Sequence, residues 1–367
     1  MALSIREMHA GDSEAVREFN SRLAKAGIAF EFPVSPAELM QKDAGVDSPY
    51  QTAYVMSEHT AVRGAYILKS EQLFSEGKFL SAANYQLPLS EGIVDRKYAI
   101  VGIQLVRDAL ARQERLYCLG MGSTSRPLPR LLQRIGWRVS KVPFLFRVQN
   151  AENFTREIRW LRQRPAVRQV VDLSRRTGSL AAYVALGRLR RRTFSAPRPA
   201  EVSVKDVDRF PLEIDRLFAR VRDEYGLLSD RRAAAMNKKL PARDTRLSRF
   251  LLFSGTRLAG WVALSRSCLR DHTQFGNMTL GTIVDGLAAS ADIPMLVAEA
   301  CQRLEASGCD LLVSNQSHPA WIAALRRYGF LQGPSNFVLA LSPALAARVP
   351  DSLVHFTRAD GDGPINL

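Results

Sequence analysis

The chain has 367 residues, 46% of them hydrophobic, and this length suffices for two ordinary domains, each with its own core. Its longest apolar stretches are interrupted before the roughly 18 residues that a membrane-spanning helix needs, and its N-terminus becomes charged too early for a signal peptide. Composition therefore argues against a secreted or membrane-spanning protein, and we expect a cytoplasmic one.

Cysteine usage points the same way. Cys118, Cys268, Cys301 and Cys309 are scattered along the chain, without the close pairs of a metal site, and most lie in stretches that look apolar. We expect reduced core residues rather than ligands or disulfides, and no metal cofactor.

The first half reads helix, hairpin, strand, helix, strand, helix, strand. The strand-like run "EGIVD" ends at Asp95, and a helix with apolar residues at helical spacing follows after a turn. A later helix, "PLPRLLQRIGW", begins with prolines and stops at Gly136, a C-cap position. The other predicted elements of this half are a helix in "AVREFNSRLAKAG", a hairpin in "TAYVMSEHTAVRGAYIL", and strands in "RLYCLGM" and "VPFLFRV".

A basic segment follows. Residues 151–200 contain twelve arginines and three acidic residues, so much of the net charge of +15 comes from here. We predict a helical linker with two alternative roles. Its apolar side packs on a domain while the arginines stay in water, or it lies on the anionic inner face of a membrane as a peripheral contact. Nucleic acid is disfavoured, because aromatic residues are sparse here and no known reading motif is present.

The same order of elements returns after the basic segment, which indicates an internal repeat. Both halves end a key strand in Ile-Val-Asp, at Asp95 and Asp285, and a later helix in Gly-aromatic. The other predicted elements of the second half are a helix in "LEIDRLFARVRDEYG", a hairpin in "RFLLFSGTRLAGWVAL", strands in "CDLLVSN" and "NFVLAL", and a helix in "PAWIAALRRYGF".

This order predicts an α/β fold, an α+β sandwich in each half with a mixed central sheet flanked by helices. We expect domains at residues 1–150 and 201–345, joined by the linker 151–200. The tail, 346–367, is either a disordered end or a segment tucked across the second domain.

Over residues 3–149 and about 205–342, the sequence resembles the GNAT acyltransferase superfamily in a tandem, degenerate form. That family holds the pyrophosphate of acyl-CoA on a turn of the form Arg/Gln-x-x-Gly-x-Gly at the start of a helix. Here Lys97 falls at the Arg/Gln position, Ile100 replaces the first glycine and Gly102 matches the last. The resemblance implies acyl-CoA, in particular acetyl-CoA, as co-substrate. The residues it assigns to the donor are Val94, Asp95, Lys97, Tyr98, Gly102 and Ile103.

The second copy departs further from the family pattern. Its stretch from Gly286 to Pro294 has one glycine and several extra residues, so it is the weaker phosphate cradle. The family often uses a tyrosine in the late helix as a general acid, and Leu132 and Leu325 stand at those positions.

Polar residues near strand ends of the second half are the candidates for chemistry, because such groups converge on the ligand crevice of an open α/β sheet. The catalytic candidates are Asp285 or His272 as the base, with His318 or Asn315 orienting the substrate. The substrate-binding candidates are Asp271, Asn277, Gln316 and Tyr225. The alternative is that these residues cap turns and helices or pack in the core.

The leading hypothesis is an acyl-CoA-dependent N-acyltransferase. Its acceptor, inferred from the basic segment alone, is a small or lipid-linked amine, such as an amino sugar or other cell-envelope precursor. One rival is a transferase of the FemAB type that takes its donor from aminoacyl-tRNA. The other is a non-catalytic scaffold or regulator.

Overall fold

Two mixed β-sheets carry the fold, and a computed structural model describes residues 3–45, 47–159, 165–194, 201–349 and 353–361. The strands are β1 (Leu3–Glu7), β2 (Tyr50–Glu58), β3 (Ala61–Ser75), β4 (Lys78–Ser90), β5 (Leu116–Leu119), β6 (Arg138–Lys141), β7 (Phe144–Val148), β8 (Val202–Asp206), β9 (Leu227–Ser229), β10 (Leu247–Ser254), β11 (Arg257–Cys268), β12 (Thr279–Ala288), β13 (Leu311–Asn315), β14 (Leu331–Gly333), β15 (Val338–Leu341) and β16 (Val354–His355). The helices are α1 (Ser13–Lys25), α2 (Val101–Arg112), α3 (Pro127–Arg134), α4 (Ala151–Glu157), α5 (Pro165–Thr177), α6 (Ser179–Phe194), α7 (Glu213–Val221), α8 (Ala233–Lys239), α9 (Ile293–Ala306), α10 (Pro319–Arg327) and α11 (Pro343–Ala346).

The main paths of the two sheets have matching strand orders, and the first sheet also includes β9, which pairs with β3, and β16, which pairs with β9. The first has the strand order β1-β2-β3-β4-β5-β15-β6, and the second has the order β8-β10-β11-β12-β13-β7-β14. In each of these orders one pair is parallel, β4 with β5 and β12 with β13. The repeat predicted from the sequence is therefore present, and both halves are mixed sheets flanked by helices.

Each sheet takes its sixth strand from the other half of the chain. β7 pairs with β13 and β14 of the second sheet, while β15 pairs with β5 and β6 of the first. The boundaries drawn at residues 150 and 201 thus do not coincide with the division between the sheets. Because the exchanged strands bring their side chains into the opposite cores, the halves are joined by ladder hydrogen bonds as well as by packing.

The prediction of a strand at "EGIVD" is wrong. β4 ends at Ser90, and two turns of 3₁₀ helix follow. The Ser90 side chain accepts a hydrogen bond from Gly92 N at 3.1 Å, and the Asp95 side chain accepts one from Lys97 N at 2.9 Å. Such local bonds favour turns over a strand. The two Ile-Val-Asp stretches are not equivalent either, because Asp285 lies inside β12, which continues to Ala288.

The helical predictions are confirmed. α9 buries the predicted face formed by Val297, Ala300, Cys301 and Leu304. Gly136 follows α3 with φ of +87°, the conformation expected of a C-cap glycine. The basic segment is helical in α4, α5 and α6, and its residues 160–164 and 195–200 lie outside the described part.

Candidate functional site

The loop between β4 and α2, residues 91–100, contains most of the residues assigned to the donor. Its two 3₁₀ turns pack backbone against backbone at Gly92, where an added Cβ would collide with the Tyr98 carbonyl group. Val94 and Asp95 lie on the outer side of this loop and are exposed. The loop is therefore a compact, ordered turn at the end of β4.

Tyr98 anchors the loop to β2. Its hydroxyl donates to Glu58 Oε2 at 2.7 Å and accepts from Lys97 Nζ at 3.2 Å. The guanidinium of Arg63 lies 4.5 Å from the centre of the Tyr98 ring, and Lys97 Nζ lies 3.7 Å from Glu58 Oε1. The hydrogen bonds and charges of this group place the Lys97 ammonium beside the start of α2 while its side chain stays half exposed.

The start of α2 faces the surface. The helix begins at Val101, so Gly102 lies in the first turn, where N–H groups have no acceptor within the helix. An added Cβ at Gly102 would lie 3.9 Å from Ser90 Oγ, an ordinary contact. Ile100 and Ile103 are 53% and 39% exposed, so the Ile100 side chain does not enter the core. Free N–H groups at the positive end of a helix dipole form a suitable site for a phosphate anion.

The corresponding loop of the second half carries carboxylates instead. It is the shorter of the two, residues 289–292, contrary to the extra residues inferred from the sequence. Glu224 Oε2 accepts a hydrogen bond from Ser290 N at 2.7 Å. Asp292 immediately precedes α9 and pairs with Arg257 at 2.7 and 3.0 Å. Glu224 thus already takes a backbone donor that a phosphate would need, and Asp292 engages the nearby cation Arg257, so this helix start is the poorer phosphate site.

Side chains also fill the gap between β12 and β13. An added Cβ at Gly286 would collide with the Trp321 ring of α10. The Tyr225 hydroxyl donates to the Ala288 carbonyl oxygen at 2.7 Å and accepts from Trp321 Nε1 at 3.3 Å. His355 of the tail places Nε2 3.1 Å from the Gly286 carbonyl oxygen. Tyr225 is therefore part of a closed core and does not line an open pocket.

Three further predicted residues are buried at the end of β13, and one of them contacts Tyr225. The His318 ring lies 4.5 Å from the Tyr225 ring at a tilted angle, and Gln316 forms a β-bridge with Thr357 of the tail. Asn315 ends β13 and is 1% exposed, as buried as its neighbours. The tail therefore covers this end of β13.

The assignment of His272, Asp271 and Asn277 to the same crevice is wrong. They lie in the loop before β12, whereas Asp285 lies near the other end of that strand, about 20 Å away at the rise of a β-strand. Asp271 N donates to Asn277 Oδ1 at 2.8 Å, and Asn277 N donates to Glu157 Oε2 at 2.9 Å. These side chains shape a turn that packs on α4.

A buried charged network surrounds Asp285. Arg231 Nη2 lies 3.2 Å from Asp285 Oδ1 and 2.9 Å from Asp360 Oδ2. Lys239 Nζ lies 3.3 Å from Asp360 Oδ1 and 2.5 Å from Glu71 Oε2, and all five side chains are at most 1% exposed. Burial raises the pKa of Asp285, while Arg231 and Lys239 overcome burial and hold the pKa of Asp360 low. Asp285 is therefore placed as a structural group rather than as a base that meets an acceptor.

The tail extends this network to the first sheet. The Asp360 carbonyl oxygen accepts hydrogen bonds from Lys69 Nζ at 2.7 Å, Tyr117 OH at 3.0 Å and Asn84 Nδ2 at 3.1 Å. Of the two alternatives for the tail, its described residues follow the second and are tucked against the protein, between both halves. Sequence reasoning missed Arg231, Lys239 and Glu71, because isolated charges in separate segments form no motif.

Acid should weaken the fold through the buried histidines. Burial lowers the pKa of His318 to about 4, while an unfolded histidine titrates near 6.5. Below that value the unfolded chain binds a proton that native His318 does not, so this contribution to stability is complete above pH 6.5 and is lost as the pH falls towards 4.

Asp285 has a raised pKa, so its contribution to stability increases as the pH falls through the same range. We therefore compare the pH dependence of variants with that of wild type instead of interpreting the total pH dependence. In His318→Gln, the urea unfolding midpoint should fall less steeply with decreasing pH than it does in wild type. The control His59→Asn, at an exposed site, should show the same pH dependence as wild type. A parallel curve for His318→Gln would contradict this assignment.

Within the described ranges, no three His, Cys, Asp or Glu side chains are grouped as metal ligands. No helix in the same ranges is long and apolar enough to cross a bilayer. The four cysteines are free thiols, and three of them are buried.

No family model and no curated protein matches the sequence. Solved structures do match the fold. A GCN5-related N-acetyltransferase from Anabaena variabilis has a TM-score of 0.51 at 12% identity, with 92% of this chain and 72% of that chain covered. Saccharomyces cerevisiae N-myristoyltransferase with bound myristoyl-CoA has a TM-score of 0.51 at 9% identity, covering 93% of this chain and 78% of that one. A probable N-acyltransferase of unknown function from Enterococcus faecalis has a TM-score of 0.52 at 9% identity, covering 94% and 74%.

These likenesses, together with the matching topologies of the two sheets, show that the chain has the GNAT fold in tandem. At such low identity they establish the fold and leave the activity to be argued from the site.

Proposed function

We propose that the protein is an acyl-CoA-dependent N-acyltransferase whose first half binds the donor. The observation that carries the proposal is the difference between the two helix starts. Gly102, in the first turn of α2, is partly exposed with room beside it, and the half-exposed Lys97 lies in the loop that leads into this helix. At the start of α9, Glu224 accepts a hydrogen bond from the loop and Asp292 immediately precedes the helix. The acyltransferases of the same fold described above support the same reaction class.

The donor's pyrophosphate would accept hydrogen bonds from the first N–H groups of α2, with the Lys97 ammonium as a further positive charge. The acyl end would lie along the end of β4. β4 and β5 pair at only two positions, and β4 then bulges at Leu87, which has φ of +46°. The tail lies here, because its Asp360 and Gly361 carbonyl oxygens accept hydrogen bonds from Asn84 and Gln86 of β4. Once the tail is displaced, backbone N–H groups of β4 would polarise the thioester carbonyl for attack by an amine.

The second half has a supporting role in this proposal. Its gap is closed by Trp321 and Tyr225, and its helix start carries carboxylates. It contributes β15 to the first sheet, most of the buried network and the covering tail, and these hold the first half in shape. The acceptor we propose is the amine of an amino sugar or another cell-envelope precursor, and acetyl-CoA is the expected donor.

The first test is thermal unfolding of the full chain with CoA, acetyl-CoA and longer acyl-CoAs. A ligand at 100 times its Kd stabilises the native state by about 2.7 kcal/mol, which raises the Tm of a chain of this size by about 3 °C. Release of free thiol on addition of glucosamine then tests transfer to an amino sugar.

A Tm shift with acetyl-CoA and amine-dependent thiol release would support both parts of the proposal. A shift without release would keep the donor and reject this acceptor. The absence of a shift with every CoA would overturn the proposal. Salt-sensitive tRNA binding would then favour the aminoacyl-tRNA transferase, and its absence the non-catalytic scaffold.

A further inference from the structure

The basic helices α5 and α6 form a surface layer over the second half. They follow each other through Gly178, whose φ of +68° suits a sharp turn, and they pack against each other and against α4. Val171 and Val184 are buried, 8% exposed each, in a cluster with Phe154 and with side chains of the second sheet. These contacts fix one side of the helix pair on the protein.

The other side exposes apolar residues. We call Val170, Leu173, Tyr183 and Leu186 the outer patch, and each of them is more than half exposed. On α5, Val170 and Leu173 are three residues apart and lie on the same helix face, away from Val171. On α6, Tyr183 and Leu186 have the same spacing. Each helix thus has one apolar side that is buried against the protein and a second apolar side that remains exposed. An exposed apolar patch of this kind marks an interaction surface.

The helices that carry the outer patch are also strongly basic. Residues 165–194 contain seven arginines and one aspartate. Arg168, Arg175 and Arg176 are exposed on α5. Guanidinium groups beside exposed aliphatic and aromatic side chains are the composition of helices that lie in the interface of an anionic bilayer.

We propose that α5 and α6 dock the protein on the surface of an anionic lipid bilayer, with the outer patch in the acyl boundary and the exposed arginines of the same helices attracted to the headgroups. This occupant uses both features at once. A nucleic acid would use the arginines but would leave the aliphatic patch in water, and a neutral surface would leave the arginines without partners. The inference goes beyond the proposed function, because docking needs no acyl-CoA and is measured without it.

The experiment is co-sedimentation of the full chain with vesicles. One set contains phosphatidylcholine alone and the other adds phosphatidylglycerol. We expect partition onto the anionic vesicles that weakens in high salt, because the attraction decays within a Debye length. Arg175→Gln combined with Arg176→Gln should lower the partition coefficient by about 25-fold, since each basic residue near an anionic surface contributes about 5-fold. The matched control is Arg209→Gln with Arg243→Gln, two exposed arginines outside the basic helices.

The apolar contribution is tested by Leu173→Glu with Leu186→Glu. Both side chains are exposed, so the fold should tolerate the changes, and circular dichroism checks that it does. The control is Leu212→Glu, a leucine 77% exposed at the start of α7. The proposal holds if the patch variant loses vesicle binding and the control keeps it. Equal partition onto neutral vesicles, equal loss in both variants, or binding to RNA but not to vesicles would overturn it.

Discussion

Gly102→Trp is expected to abolish stabilisation by acyl-CoA while leaving the fold intact. The site has room for a side chain, since an added Cβ meets only an ordinary contact with Ser90. The indole would instead cover the first N–H groups of α2 on their solvent side. A hydrogen bond to a charged group is worth about 1.5 to 3 kcal/mol, so the loss of two from the pyrophosphate should weaken binding by about 100-fold or more.

Isothermal titration with acetyl-CoA measures this effect, and the Tm without ligand shows that the variant is folded. The matched control is Ala291→Trp, an exposed position in the corresponding loop of the second half. It should bind as wild type does. If Ala291→Trp blocks binding and Gly102→Trp does not, the donor belongs to the second half and our assignment of the two copies is wrong.

Lys97 allows a graded version of the same test. Its ammonium lies 3.7 Å from Glu58 Oε1, and its side chain remains half exposed. Lys97→Glu would set a second carboxylate beside Glu58 and replace attraction for a phosphate with repulsion. It should therefore weaken acetyl-CoA binding in the same direction as Gly102→Trp, with a smaller effect in high salt.

Much of the architecture could be predicted because it depends on local patterns in the sequence. Apolar residues at helical spacing predicted α2 and α9, and the C-cap pattern located Gly136, which has a positive φ. Repetition of the element order revealed two similar sheets. These features depend on neighbours in sequence, which is the information a single sequence contains.

The exchange of β7 and β15 could not be predicted in the same way. Each strand has the apolar composition that fits either sheet, and the choice of partner is made by tertiary contacts with β13 in one case and with β5 in the other. Likewise, the sequence shows polar residues at the end of β13 but not that Trp321 and the tail close over them. Whether polar residues at a strand end are open to a ligand thus depends on tertiary contacts that the sequence does not show.

Removing Arg231 should be among the most damaging single changes in the chain. Its guanidinium is fully buried between Asp285 and Asp360, which belong to β12 and to the tail. Arg231→Met would keep the apolar part of the side chain but leave these carboxylates without their main cation, and breaking a buried pair in this way costs about 3 to 5 kcal/mol. Urea unfolding measures the loss.

The control for ordinary ion-pair loss is Arg17→Met, which removes an exposed partner of Glu14 and should cost at most about 1 kcal/mol. Asp285→Asn added to Arg231→Met should recover part of the stability, because it removes one of the uncompensated charges. If Asp285 were the catalytic base, Asp285→Asn alone would abolish transfer in a fully stable protein. Loss of stability in Arg231→Met with partial recovery in the double variant would place Asp285 in the scaffold that supports the donor site.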